Sequence, residues 1–308
     1  MNEFPAKKFS HKTTTAKGET RAWVDLGELK TLWFNSGTQC NLACDNCYIE
    51  SSPTNDRLVY LSLEDLETHL NSNMFNSVEL IGFTGGEPFL NPNIIELLKA
   101  SLETGRDVLV LTNAYRVISR HLKKLDQLKD EYGEKLHLRI SLDHYTKTLH
   151  EKERGEGTFD KTLGTVKDLY DNGYNISIAG RALSSEDLDH VRKGYADLLL
   201  QNKISIDLKS KLVVFPEMIS GEDVPEITTA CWDILGKRPD AQMCASERMI
   251  VRRKNSDKSV VLPCTLLAYD KQFELGHELD LADTRVYLNH EFCAKFCVLG
   301  GSSCSSAL

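Results

Sequence analysis

The chain has 308 residues, 41% of them hydrophobic, and a formal net charge of -8 at pH 7. This length is enough for a sizeable core, arranged as one large domain or as one domain with a smaller second one. The acidic balance argues against a broad nucleic-acid surface, because phosphate binding needs an excess of Lys and Arg.

The N-terminal segment and the apolar runs bear on location. Residues 1–5 lack the apolar stretch of a signal peptide, and no run approaches the roughly 20 apolar residues that span a bilayer. We therefore expect a cytoplasmic protein that binds no membrane. Polar residues 1–22 show no periodicity, so they are predicted to be a loose tail that could fold over the mouth of a barrel.

Residues 29–34 are predicted to be the first strand, and a cysteine loop follows it. Cys40, Cys44 and Cys47 have the spacing C-x3-C-x2-C, so their thiolates can face one point. That set is one ligand short of the four that an ordinary iron–sulfur cluster takes. A zinc knuckle is the alternative, but zinc sites usually pair C-x2-C motifs or Cys with His, and no such His follows.

Helical and strand patterns then alternate along the chain. Strands alternating with helices imply a parallel sheet with right-handed crossovers. Six strands are too few for a closed eight-stranded barrel, so the fold class is an α/β partial (β/α)6 TIM-type barrel, open on one side, over residues 29–215. The predicted helices are 62–70, 92–100, 117–130, 159–170 and 185–199, and the further strands are 78–83, 107–111, 136–140, 176–179 and 204–208.

Polar or glycine residues follow several of these strands. In α/β barrels and open sheets the site lies at the carboxyl ends of the strands. Charged residues 151–156 are predicted to form a loop. His144 and His150 are predicted to be solvated loop histidines, with a positioning role near the mouth as the alternative. The strand-end residues are Gly85, Gly86 and Glu87, then Thr112 and Asn113, then Ser141 and Asp143, and finally Arg181.

A second set of cysteines follows a change of pattern near residue 213. A hairpin is predicted from strands 249–254 and 259–262, and Cys244 and Cys264 flank it. The odd total of nine cysteines in a cytosolic protein argues against a disulfide framework. The segment 48–230 contains no cysteine, so two separate metal sites are indicated. Cys231 is predicted to be a buried apolar thiol, and the later members of the second set are Cys293, Cys297 and Cys304.

Three motifs in this order resemble the radical S-adenosylmethionine (SAM) superfamily over residues 31–210: C-x3-C-x2-C, then Gly-Gly-Glu-Pro, then Ser-Leu-Asp. The resemblance implies a [4Fe–4S] cluster on Cys40, Cys44 and Cys47, with the SAM amino and carboxylate groups on its open iron. It also implies an electron donor of the flavodoxin or ferredoxin type. Reductive cleavage of SAM would give a 5′-deoxyadenosyl radical that abstracts hydrogen from substrate.

The resemblance also assigns SAM contacts. The Gly-Gly-Glu strip matches backbone that holds the SAM amino group, and glycine permits close approach. An arginine suits the SAM carboxylate, although an ordinary salt bridge is the alternative. Asn46 stands where the family usually has an aromatic residue, and Tyr48 follows instead. The assigned residues are Gly85, Gly86 and Glu87 for the amino group, Thr112, Asn113 and Ser141 for the ribose, Arg154 or Arg181 for the carboxylate, and the aromatic Tyr48.

Residues 216–308 resemble the auxiliary-cluster extension called SPASM or, in its shorter form, twitch. The resemblance implies one auxiliary [4Fe–4S] cluster, with a structural zinc site as the alternative. The fifth cysteine would be a spare, or a thiol near the active site. The ligands would be Cys244 and Cys264 with two of Cys293, Cys297 and Cys304. The domain prediction is therefore a tail over 1–28, a core over 29–215 and an auxiliary domain over 216–308.

The resulting hypothesis is a radical SAM oxidoreductase that acts on a small molecule or a peptide. Many relatives with auxiliary clusters mature ribosomally made peptides, and this activity is the alternative within the class. The sequence shows no obvious N-terminal peptide-binding domain, which favours a small molecule. A non-catalytic iron–sulfur or zinc scaffold is the hypothesis from another class.

Overall fold

A computed structural model of the chain describes residues 7–183, 185–218, 222–282 and 284–305. The start of the chain, residues 1–5, in which no signal peptide is expected, lies outside these ranges. Within them, no helix is long and apolar enough to cross a membrane.

An eight-stranded sheet forms the centre of the fold, in the order β7-β6-β5-β4-β3-β2-β8-β9. All neighbours from β7 to β8 are parallel, and β9 returns antiparallel to β8. Strands β1 and β10 form a separate antiparallel pair. The strands are β1 Trp23–Asp25, β2 Thr31–Asn35, β3 Leu80–Thr84, β4 Asp107–Thr112, β5 Leu136–Ser141, β6 Asn175–Ala182, β7 Leu212–Pro216, β8 Glu247–Arg252, β9 Ser259–Leu262 and β10 Arg285–Tyr287.

Helices connect the parallel strands, as the alternation predicts. The first begins as expected at Ser62, whose side chain accepts from the Asp65 N–H while Asp65 accepts from the Ser62 N–H, a reciprocal cap. The α-helices of the described ranges are α1 Leu63–Leu70, α2 Ile94–Glu103, α3 Leu122–Tyr132, α4 Lys147–Arg154, α5 Thr158–Asp171, α6 Leu188–Gln201, α7 Leu208–Lys211 and α8 Cys231–Leu235.

The two faces of the sheet bury two different apolar cores. Leu32 and Phe34 of β2 point into the core beneath the helices, whereas Trp33 between them points into a core shared with the C-terminal region, as strand alternation requires. The Trp33 ring lies over Gly82, where a Cβ atom would be 2.2 Å from the indole. The sheet face opposite the helices is therefore packed, and the C-terminal region supplies that packing.

The sixth parallel strand is not where the sequence pattern predicts it. Residues 204–208 alternate apolar and polar side chains, which is typical of a strand. However, Asp207 caps the short helix α7 through its side chain. The strand is Leu212–Pro216, whose continuous apolar run suits a buried parallel strand. The described sheet contains β7 and β9 at its two ends and is not closed.

The charged segment 151–156 is also different from its prediction as a loop. Its first four residues complete helix α4, Lys147–Arg154, because Glu, Lys and Arg are good helix formers. His144 and His150 are both buried, not solvated. The helix turns His150 into the core, where its ring contacts Phe159 edge to face at 5.5 Å.

The described part of the N-terminal segment is packed and not loose. Arg21 is fully buried, and its guanidinium donates to Glu226 Oε1 at 2.5 Å and to the Leu288 carbonyl at 3.3 Å. A buried arginine needs such partners, and both lie more than two hundred residues away in the chain. A local sequence pattern therefore gives no signal for this packing.

The predicted hairpin is confirmed as β8 and β9, and it joins the main sheet. Strand β8 pairs in parallel with β2, with Thr31 opposite Glu247 and Phe34 opposite Ile250. The polar turn between β8 and β9 falls where the sequence predicts it. Continuous backbone pairing therefore links the region after residue 216 to the strand that leads into the cysteine loop.

Candidate functional site

A cleft with an empty volume of about 1030 Å³, hereafter the main cleft, opens at the carboxyl ends of the parallel strands. The three cysteines of the C-x3-C-x2-C motif line it. So does every SAM contact predicted from the sequence except Glu87. Those lining residues are Cys40, Cys44 and Cys47 together with Tyr48, Gly85, Gly86, Thr112, Asn113, Ser141, Arg154 and Arg181.

Helix α4 holds the second half of the cysteine loop, which is defined as residues 40–47. The Asp45 N–H donates to the Glu153 carbonyl at 3.0 Å. The Glu153 carboxylate accepts from the Asn46 N–H at 2.8 Å and from its Nδ2 at 2.9 Å. Asn46, which departs from the family pattern, is thus a structural residue of the loop.

The three thiols fit a metal cluster. Burial raises the pKa of Cys40 to about 12 and that of Cys44 to about 11, so a thiolate here needs a cation to stabilise it. N–H groups point at two of the sulfurs: Asn113 Nδ2 lies 3.6 Å from Cys40 Sγ, and the Ser51 N–H lies 3.3 Å from Cys47 Sγ. Such donors favour sulfur ligands of an iron–sulfur cluster.

The thiols of Cys40, Cys44 and Cys47 surround the main cleft. Within the described ranges, no three Cys, His, Asp or Glu side chains are gathered around a single metal position.

Gly85 and Gly86 bring the end of β3 against the cysteine loop. The Gly86 N–H donates to the Gly37 carbonyl at 2.8 Å, and the Glu87 N–H donates to the Gln39 carbonyl at 3.0 Å. A Cβ atom on Gly86 would lie 2.0 Å from the Gln39 oxygen, and Gly85 has a φ of +140°. The glycines are required for this backbone contact, in addition to any approach of a ligand.

Glu87 is buried behind the wall of the main cleft and does not line it. Its carboxylate accepts from Thr112 Oγ1 and from the Asn113 N–H, both at 2.9 Å. Burial raises its pKa to about 7 against the effect of these donors. Glu87 therefore positions the end of β4, where Thr112 and Asn113 face the cleft, and does not itself contact the cleft.

Arg154 and Arg181 line the main cleft, and both form ion pairs, which are the alternative that the sequence left open for them. Arg154 donates to Asp143 through Nε at 2.7 Å, and Arg181 lies 3.3 Å from Glu153. Burial would raise the pKa of Asp143, but the two arginines outweigh it and the pKa is lowered. The guanidinium groups are thus fixed as cations at the cleft wall.

An aromatic wall closes one side of the main cleft. Tyr48 packs edge to face on Phe296 at 5.8 Å, and Phe215 lies 5.4 Å from Phe296. The Arg181 guanidinium is 5.4 Å from the centre of the Tyr48 ring. The sequence does not indicate Phe215 as a lining residue, because its pattern predicts the strand at 204–208, eight residues before β7.

Other lining residues also escaped prediction. Thr265 and Leu266 directly follow Cys264, so their position beside a predicted ligand indicates that they lie near a site. The aliphatic and small residues carry no such signal, because their sequence pattern is that of core strands. The remaining lining residues are Ile49, Ser51, Thr84, Leu111 and Ala179, together with two residues that the sequence predicts in other roles, the strand-end residue Asp143 and the candidate auxiliary ligand Cys304.

A second, smaller cavity of about 290 Å³ lies among the C-terminal cysteines. We call it the four-cysteine cavity, because Cys244, Cys264, Cys293 and Cys297 line it. Cys293 and Cys297 are carried by a π-helix, Cys293–Leu299, a geometry often found at functional sites. Cys231 is half-buried beside Thr228 and lines neither cavity.

Comparison with known families gives a match to the Radical SAM superfamily over residues 34–193. The antilisterial bacteriocin subtilosin biosynthesis protein AlbA of Bacillus subtilis is 34% identical over 142 residues, which are 46% of this chain and 30% of AlbA. A GTP 3′,8-cyclase of Rhizobium etli is 27% identical over 150 residues, 48% of this chain and 42% of that protein. The chain thus spans less than half the length of these two relatives.

Solved structures resemble more of the chain. Streptococcus suis SuiB bound to precursor peptide SuiA has a TM-score of 0.57 at 17% identity and covers 83% of this chain and 64% of SuiB. The structure of anSMEcpe with bound AdoMet has a TM-score of 0.56 at 17% identity, over 81% of this chain and 74% of that one. At this identity the likeness concerns the fold alone.

Proposed function

Because the chain belongs to the Radical SAM superfamily, we propose that it cleaves SAM at a [4Fe–4S] cluster and modifies a ribosomally made peptide. The observation that carries the proposal is the convergence of Cys40, Cys44 and Cys47 on the main cleft, at the carboxyl ends of parallel strands. The glycine strip and two arginines lie in the same cleft. A scaffold without catalysis has no need for a cleft beside the thiols.

Each wall of the main cleft has a proposed task. Cys40, Cys44 and Cys47 hold the cluster, and the Gly85-Gly86 backbone receives the SAM amino group. Arg154 or Arg181 pairs with the SAM carboxylate, since a guanidinium matches a carboxylate in two parallel hydrogen bonds. Thr112, Asn113 and Ser141 offer polar groups to the ribose, and Tyr48 offers an aromatic edge or face.

Cys40, Cys44 and Cys47 would hold the cluster, and SAM bound beside it would, on receiving one electron, supply the radical chemistry that removes a hydrogen atom from substrate. The residues of the chain position the reactants and exclude water, which protects a radical from side reactions. Tyr48 and Phe215 are the aromatic residues of that enclosure. The aromatic packing on Phe296 keeps both rings in place.

The finer description of the fold belongs to the same proposal. We take the uninterrupted order of β2 to β7 as six strands of a partial TIM-type barrel, extended by β8. The four-cysteine cavity is proposed to hold an auxiliary [4Fe–4S] cluster. A donor of the flavodoxin or ferredoxin type would reduce the first cluster.

Two lines of support favour a peptide as substrate. The matched region of AlbA comes from a bacteriocin biosynthesis protein, and the SuiB fold that covers most of this chain was solved with a precursor peptide. The GTP 3′,8-cyclase relatives support a small nucleotide as the second candidate.

The test is anaerobic reconstitution with iron and sulfide, followed by dithionite, SAM and measurement of 5′-deoxyadenosine. We expect 5′-deoxyadenosine from the parent chain and none from a Cys40→Ala/Cys44→Ala/Cys47→Ala variant. Cys231→Ala is the matched control, because Cys231 lines neither cavity. An iron-loaded parent chain that forms no 5′-deoxyadenosine would contradict the proposed activity.

The substrate class is tested separately. Short peptides encoded beside the gene, and GTP as the competing probe, are each incubated with the loaded enzyme. We expect a mass change in a peptide. A product from GTP alone would move the function to the second candidate.

A further inference from the structure

The five cysteines that follow residue 240 have two different environments. Four of them line the four-cysteine cavity: Cys244, Cys264, Cys293 and Cys297. Cys304 is absent from that lining and instead faces the main cleft, together with the three thiols of the cysteine loop. The sequence spacing alone does not separate Cys304 from the other four.

The position of Cys304 is fixed by its backbone. The Arg139 guanidinium donates to the Cys304 carbonyl at 2.6 Å, and the neighbouring Ser303 and Ser305 hydroxyls donate to Glu247 at 2.9 and 2.6 Å. Arg139 and Glu247 are both buried side chains of the main sheet. Residues 303–305 are therefore anchored on the interior face of the sheet, beneath the cleft.

The sulfur of Cys304 has its own partner at the cleft. The Thr265 hydroxyl donates to Cys304 Sγ at 3.1 Å. Thr265 and Leu266 follow Cys264 directly, and both line the main cleft while Cys264 lines the four-cysteine cavity. One stretch of backbone thus separates the two sites, with Cys264 on one side and Cys304 on the other.

A [4Fe–4S] cube takes four thiolates, and the four-cysteine cavity already contains four. Cys304 is nevertheless the obvious competitor, because negative charge on its sulfur is near enough to raise the pKa values of Cys264 and Cys297. The question is which four of the five thiols bind iron. The lining of the two cavities gives one answer.

We propose that Cys244, Cys264, Cys293 and Cys297 ligate the auxiliary cluster completely, and that Cys304 stays a free thiol facing the substrate in the main cleft. This inference rests on the proposed function. Full ligation leaves no iron of the auxiliary cluster open to substrate. The auxiliary cluster would then transfer electrons or support the fold. The substrate would contact the Cys304 thiol and not an iron of the auxiliary cluster.

The ligand assignment is tested without turnover, in the Cys40→Ala/Cys44→Ala/Cys47→Ala background. There, about four irons per chain report the auxiliary cluster alone, together with its electron paramagnetic resonance spectrum after reduction. Adding Cys304→Ala should leave the iron content and the spectrum unchanged. Adding the matched Cys297→Ala should remove most of the iron or alter the spectrum.

Several results would overturn the assignment. One is an equal loss of iron in the Cys304 and Cys297 variants, and another is a triple variant that holds no iron. Cys304→Ser keeps a polar partner for Thr265, so it distinguishes lost ligation from misfolding. Because 5′-deoxyadenosine is measured on the parent chain, failure of the proposed function is read independently of this assignment.

The orientation of Cys304 is tested by alkylation. Because burial raises the pKa of Cys304 to about 12 and the thiolate is the form that is alkylated, iodoacetamide should modify Cys304 slowly, at alkaline pH, in the doubly loaded enzyme while the four cluster ligands stay protected. SAM at ten times its Kd should slow that modification about tenfold, since roughly a tenth of the sites stay empty. Two results would contradict the substrate-facing position of Cys304. One is protection of Cys304 from alkylation in the loaded enzyme without SAM, and the other is an alkylation rate that SAM does not change.

Discussion

Glu153 binds Asn46 twice, accepting one hydrogen bond from its backbone N–H at 2.8 Å and one from its side-chain Nδ2 at 2.9 Å. The position before the third cysteine, where the family usually has an aromatic residue, is thus used here to join the cysteine loop to helix α4. The same helix carries Arg154, which pairs with Asp143 at the cleft wall. The loop and one of the proposed SAM contacts therefore share one support.

Glu153→Ala should make the first cluster easier to remove. The substitution leaves two N–H donors of Asn46 without their acceptor, at a cost of about 1–3 kcal/mol for a buried group. We expect a chelator to extract iron from the variant several-fold faster than from the parent chain. The decrease of the cluster absorbance with time measures the rate of extraction. Exposed Glu156→Ala is the control. Equal extraction rates for all three proteins would show that the contact does not stabilise the loop.

Gly86→Ala should destabilise the fold and abolish SAM cleavage. Its Cβ atom would lie 2.0 Å from the Gln39 carbonyl oxygen, and overpacking of this kind costs about 1–3 kcal/mol or more. Gly164→Ala is the matched control, because nothing lies within 4 Å of a Cβ there. In helix α5 that change should stabilise by about 0.5–1 kcal/mol. Thermal unfolding measures both, and a Gly86 variant as stable as the parent would refute the packing argument.

His150→Leu should reduce the acid sensitivity of the fold. Among the residues that the structure describes, neither ring nitrogen of His150 has a hydrogen-bond partner, and burial lowers the pKa of His150 to about 4. Below the ordinary pKa of 6.5 the unfolded chain binds a proton that the folded chain refuses, so stability falls as pH decreases toward 4. Between pH 7 and pH 5 the variant should lose about 2 kcal/mol less than the parent chain.

Urea unfolding at the two pH values measures this difference. His190→Leu, which removes an exposed imidazole, controls for loss of a surface histidine. If the parent and the His150 variant lose the same stability between pH 7 and pH 5, His150 is not the group responsible.

Tyr48→Leu should weaken SAM binding, whereas Tyr48→Phe should bind nearly as the parent does. The ring packs on Phe296 and lies under the Arg181 guanidinium, and a cation–π contact is worth about 0.5–2 kcal/mol. Losing the ring should raise the Kd about tenfold. Equilibrium binding to the loaded protein measures it, and an unchanged Kd in the Leu variant would remove Tyr48 from the proposed site.

The local motifs could be predicted from the sequence because their chemistry and their spacing coincide. Cys40, Cys44 and Cys47 are separated by a few residues, and Gly86 directly follows a strand. The hydrogen bonds between Glu153 of helix α4 and Asn46 could not be predicted from the sequence. The charged residues around Glu153 suit a loop as well as a helix, and Asn46 lies more than a hundred residues away in the chain. Burial of Arg21 depends on Glu226 in the same way.

The remaining differences come from patterns that fit two structures. Residues 204–208 alternate apolar and polar side chains as a strand does, yet Asp207 caps a helical turn. The predicted strand therefore precedes the observed β7, and Phe215 falls outside the prediction. By its sequence spacing Cys304 belongs to the second set of cysteines, but in the structure it lines the main cleft. In each case the deciding contact is made with a residue far away in the chain.

The parallel pairing of β8 with β2 has a consequence for any attempt to divide this protein. A piece ending near residue 216 would lose β8 and leave β2 as an unpaired edge, with Leu32, Trp33 and Phe34 beside open backbone groups. Exposed apolar edges of this kind associate with other chains. Such a piece would be expected to aggregate, so the region of the cysteine loop should be expressed only together with the region of the four-cysteine cavity.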